Sequence, residues 1–152
     1  MTSTVKEGLF RGIFVGGFIV GVLDLSYAMI VYTPHHPILI PQFIASGVLG
    51  DRSFDGGYAT AALGVALHFL IAFTAATVYG IASRELSLLI EHAVICGMIY
   101  GALVYGFMHT IVVPLSRVHH HPTHFVYAAA EFVWHWIGVG LPIALSCRYY
   151  SR

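Results

Sequence analysis

Four long apolar blocks, separated by short polar stretches, organise this chain: residues 9–32, 58–82, 93–113 and 125–146. About 20 apolar residues are needed to cross roughly 30 Å of hydrocarbon, and each block meets that length. The first block is longer than a signal-peptide core and has no small-residue cleavage site before Asp24, so it predicts a retained helix. Between the first two blocks, the stretch PILIPQFIASGVLG is too short to span and too apolar for a free linker. It predicts a short helix over 38–49, lying in the outer interface or dipping against the bundle. DRSFDGG follows as turn chemistry. The expected fold class is therefore an all-α membrane protein: a four-transmembrane-helix bundle with a short interfacial helix in its first outer loop. Residues 1–152 form a single transmembrane domain.

Composition agrees with that pattern. The chain is 58% hydrophobic and only 9% charged, against about one quarter charged for a soluble domain. Net charge is zero, which gives no reason to expect a nucleic-acid partner. Lys6, Arg11, Arg84, Arg148 and Arg152 gather at one face and only Arg52 and Arg117 at the other. The positive-inside rule then places both termini in the cytoplasm of a bacterial inner membrane, with residues 34–57 and 114–124 outside. Cys96 and Cys147 match no metal or redox spacing and are expected to be packing residues. Gly12 and Gly16, Gly17 and Gly21, and Gly97 and Gly101 are spaced four apart and mark expected close helix contacts. Pro114 and Pro142 are expected near helix ends, where a lost hydrogen bond matters least.

Five ionisable residues interrupt the apolar blocks: Asp24, His68, His109, Glu131 and His135. Such groups are expensive in hydrocarbon and are rarely kept without a partner or a task. At 1.5 Å per residue they lie ~12, ~15, ~8, ~10 and ~16 Å below the outer helix ends, all in one leaflet half. Glu131 and His135 are four apart and share a helix face, so a carboxylate–imidazole pair is expected there. A purely structural hydrogen-bond network is the competing reading. Outside the membrane, His35, His36, His119, His120, His121 and His124 give the outer loops a histidine-rich face. Clustered imidazoles suit Zn²⁺, Cu²⁺ or Ni²⁺, with Glu131 and His135 as candidate ligands beneath them.

Several motifs resemble an uncharacterised family of small bacterial four-helix membrane proteins. They are LDLSYA (23–28), QFIASGVLG (42–50), FDGG (54–57), LGVALHF (63–69), VVPLS (112–116) and HWIGVGLPIAL (135–145). The resemblance covers most of the chain and implies a fold and topology but no activity. It ranks Asp24, His68 and His135, which lie inside the motifs, ahead of Glu131 and His109.

Three functions stay open on the sequence. The cluster binds or relays a transition metal or protons, with oligomerisation expected for so small a bundle. Alternatively, His68 and His135, at nearly equal depth on different helices, ligate a b-type haem, with Gly64 and Gly138 making room for the porphyrin. In the third reading the chain is a non-catalytic subunit of a larger membrane complex. No nucleophile elbow, phosphate-binding loop or zinc-protease motif is present to name an enzymatic reaction.

Overall fold

In a computed structural model of the chain, residues 3–118 and 124–151 are described, and every regular element among them is helical. Helix α1 covers Ser3–Tyr32, α2 Leu39–Leu49 and α3 Gly57–Glu85. After a single turn at Leu88–Glu91, α4 runs over Ala93–Leu115 and α5 over Phe125–Tyr150. Four of these helices, α1, α3, α4 and α5, are long and apolar enough to cross a membrane. One end of the bundle carries residues 33–57 and 116–118 and is called the loop end; the other carries both termini.

Small residues decide which helices meet. A Cβ built on Gly12 would stand 3.1 Å from the Cα of Cys147, and one on Gly16 would stand 3.3 Å from the Cα of Ile143. This face of α1 therefore lies directly on α5. Gly17 and Gly21 turn to α3 instead, where the rings of Phe73 and Phe69 fill the space a side chain would take. Gly97 and Gly101 of α4 lie against the α5 backbone at Gly140 and His135. All three glycine pairs thus act as helix contacts. The core they enclose is built on Tyr79 and Ile143, both fully buried, with Ala72, Ala76, Ala93, Val139 and Ala144 around them. Cys147 packs in this core, and both cysteines are free thiols.

Two spans are not regular. Met108–Val112 in α4 and His135–Gly140 in α5 are π-helical. The N–H of Val113 bonds Met108 O, and that of Leu141 bonds Trp136 O, each five residues back. A proline follows each segment, Pro114 and Pro142. In a regular α-helix the proline ring would press on the carbonyl four residues earlier. The wider turn moves that carbonyl away, so the helix passes the proline without breaking. Pro142 is therefore not at a helix end as expected, because α5 continues to Tyr150.

Helix α2 is pinned at the loop end. Gly64 of α3 has no side chain, and the Pro41 carbonyl takes its place. Gln42 is buried and its Nε2 donates to Gly57 O at 3.1 Å, drawing the loop back onto α2. Gly50 and Gly57 sit at φ +64° and +56°, where a side chain would be strained, and they end α2 and start α3. On the far side the Arg117 N–H bonds Gly47 O at 2.9 Å, which ties α2 to the loop end of α4.

Candidate functional site

Near the loop end, α1, α4 and α5 bring together the polar groups of their apolar stretches. Glu131 is the centre of one group. The Tyr32 hydroxyl donates to its Oε2 at 3.4 Å, and His109 Nε2 stands 3.8 Å from the same oxygen. His109 is oriented by its own helix. Its Nδ1 is 3.1 Å from Tyr105 O, and its ring stacks on Tyr105 with centroids 4.0 Å apart. A carbonyl can only accept, so Nδ1 carries the proton and neutral His109 offers a lone pair at Nε2. Two acceptors, Nε2 and Oε2, then face each other. A cation, most simply a proton, has to sit on one of them for the contact to be attractive. The side chains are 41% and 28% exposed, so this pair is reachable from outside the core.

Asp24 is the centre of a second group. Trp134 Nε1 donates to its Oδ1 at 2.9 Å, linking α1 to α5. Tyr27 stacks on the Trp134 indole at 4.2 Å with the planes 7° apart. Tyr27 also meets the Tyr32 ring edge-on with centroids 6.4 Å apart, so the two groups adjoin. His68 lies within electrostatic reach of Asp24 from α3, but its Nε2 is committed to Gly21 O at 3.1 Å. Neither carboxylate meets a lysine or arginine among the described residues.

The Glu131–His135 pair expected from their spacing does not form. His135 is buried and its Nδ1 donates to the backbone carbonyl of Glu131 at 2.8 Å, while the Glu131 carboxylate turns to α1 and α4. The reason is local: a histidine side chain in a helix points back over the preceding turn, where the carbonyl four residues earlier is the nearest acceptor. The room expected for a porphyrin is taken. Pro41 fills the space at Gly64 and the Trp134 ring fills that at Gly138. Axial ligation through His68 Nε2 would also break its bond to Gly21 O.

Of the expected metal-ligand residues, His35 and His36 are exposed in the turn between α1 and α2, and His124 is exposed at the start of α5. His119, His120 and His121 lie outside the described residues. Among the described residues no three His, Cys, Asp or Glu side chains converge as a metal site.

Tyr27, Tyr32, Tyr105 and Trp134 were not singled out from the sequence, although a signal existed. Tyr27 follows Asp24 by three residues, Trp134 follows Glu131 by three, and Tyr105 precedes His109 by four. Those are the spacings that place side chains on one helix face. Compared with protein-family models, with curated proteins and with solved structures, the chain matches none.

Proposed function

We propose that this chain is a multi-pass protein of the bacterial inner membrane, with both termini cytoplasmic, that relays protons across the membrane by way of an intramembrane carboxylate–imidazole site. On this reading the loop end faces outward and α2 lies in the outer interface. The observation that carries the proposal is the Glu131–His109 contact, in which an imidazole nitrogen and a carboxylate oxygen stand 3.8 Å apart, an ion-pair distance once a proton is bound at the histidine. The Tyr32 hydroxyl on the same carboxylate offers a second proton position. Asp24 and His68 form the deeper station, and Tyr27 and Trp134 lie between the two. Support for the orientation comes from the excess of lysine and arginine at the end that carries the termini.

A transition-metal ion is also a cation that an imidazole nitrogen and a carboxylate oxygen accept. It ordinarily takes four ligands, and among the described residues no three His, Cys, Asp or Glu side chains face one point. The proton therefore fits the described geometry better. The test is proton flux in proteoliposomes carrying an internal pH dye under an imposed potential. Wild-type vesicles acidify faster than empty ones, and Glu131→Gln and His109→Ala bring the rate to the empty-vesicle level. An unchanged rate in Glu131→Gln refutes the proposal. Stoichiometric metal in untagged protein, lost in the same variant, would replace it with a metal site.

A further inference from the structure

The two carboxylates share one setting: an aromatic shell in which, among the described residues, the basic neighbours are the imidazoles of His109 and His68 and no lysine or arginine. Tyr27 and Trp134 stack beside Asp24, and Tyr32 bonds Glu131. Tyr127 packs at 5.9 Å from the Tyr32 ring and is 46% exposed. Tyr105 is within electrostatic reach of Glu131 from α4. From this we infer that the Asp24–Glu131 patch binds a lipophilic organic cation, a quaternary ammonium or phosphonium with alkyl or aryl arms, seated on tyrosine faces beside the two carboxylates.

The chemistry separates this ligand from other cations. Calcium asks for six to eight oxygen ligands and magnesium for a near-ideal octahedron. This patch offers two carboxylates and phenol hydroxyls. Transition metals ask for three or four converging donors, and no such set is described. A diffuse cation asks for no donor geometry. It gains from ring faces and from a nearby countercharge, and since Tyr27 and Gly138 cover the Trp134 ring, the faces left to it are those of the tyrosines. Its apolar arms match the surrounding surface, where Val126, Val133 and Ile30 are exposed. The partly exposed Glu131 side chain leaves the patch open sideways.

The inference shares its site and its membrane placement with the proton-relay reading, and a proton and an organic cation would compete for the same carboxylates. Binding is measured in detergent without a gradient, so the two stand or fall separately. The probe is tetraphenylphosphonium, followed by quenching of the chain's two tryptophans, Trp134 and Trp136. Saturable quenching is expected, with uncharged triphenylphosphine oxide unable to compete. Asp24→Asn combined with Glu131→Gln should weaken binding roughly tenfold or more. Tyr27→Leu should weaken it several-fold, whereas Tyr27→Phe keeps the ring face and the affinity. Equal binding of the neutral analogue overturns the inference, as does a monodisperse double variant that binds as tightly as the wild type. If that double variant does not fold, equal affinities for Tyr27→Leu and Tyr27→Phe overturn it instead. Vesicles that carry protons, with no phosphonium binding in detergent, overturn this inference and leave the proton reading intact.

Discussion

Replacing Trp134 with phenylalanine removes a single donor and keeps most of the surface. The ring that stacks on Tyr27 at 4.2 Å remains aromatic, but the 2.9 Å bond to Asp24 Oδ1 is lost. What that loss costs depends on the charge of Asp24. Neutral interhelical hydrogen bonds in membranes average ~0.6 kcal/mol, because the polar group also finds partners when the helices separate. A hydrogen bond to a charged group contributes ~1.5–3 kcal/mol. Among the described residues no lysine or arginine reaches this carboxylate and the indole is its hydrogen-bond donor, so the larger value applies to an ionised Asp24. Trp134→Phe is then expected to destabilise the protein by ~2 kcal/mol, and by only ~0.6 kcal/mol in an Asp24→Asn background, where the acceptor is neutral. The assay is reversible unfolding in mixed micelles on titration with dodecyl sulfate, followed by far-ultraviolet circular dichroism so that the lost tryptophan does not enter the signal. Equal costs in the two backgrounds would refute the argument, since the bond would then be no stronger for the carboxylate's charge.

Other consequences follow from the packing and the topology. Gly101→Ala would set a methyl against the His135 carbonyl, with backbone rather than a flexible side chain in the way. A destabilisation of ~1–3 kcal/mol is expected in the same unfolding assay, and a loss below ~0.5 kcal/mol would mean that α4 and α5 yield to it. Gln42→Leu removes the donor to Gly57 O, which keeps its bond from the Thr60 hydroxyl, so the cost is that of one net hydrogen bond, ~0.5–1.5 kcal/mol. Hydrogen exchange should accelerate over residues 50–57 while the middle of α3 stays protected. In a cysteine-free background, His35→Cys should react with a membrane-impermeant maleimide added from outside and Ser151→Cys should not; the opposite pattern reverses the topology proposed here.

How far the sequence alone reached can be judged from particular residues. The four spans and the helix after the first were legible because hydropathy depends only on local composition, and the observed helices differ from those expected mainly by a few residues at their ends. Glycines four apart were legible for the same reason: a small residue at that spacing permits close approach whatever helix arrives. The motif QFIASGVLG was legible as a segment but not as a role. Gln42 and Gly47 hold α2 in place through partners, Gly57 and Arg117, that lie far along the chain or in another loop.

Which polar groups meet was beyond the sequence. Five ionisable residues at similar depth suggested one site, and their depth followed from helix rise alone. The rotation of each helix decides whether a carboxylate faces a histidine on its own helix or on a neighbour. In α4 and α5 that rotation is altered by π-helical segments beside Pro114 and Pro142, and one wider turn shifts every side chain beyond it around the axis. Glu131 turns to His109 and Tyr32 on other helices, and His135 turns to the backbone carbonyl one turn earlier. The sequence by itself determined how many long apolar helices form and how far along each its polar groups lie, because hydropathy and helix rise are read residue by residue. Only the tertiary structure decided the pairing, because a hydrogen bond depends on distance and direction between side chains on different helices.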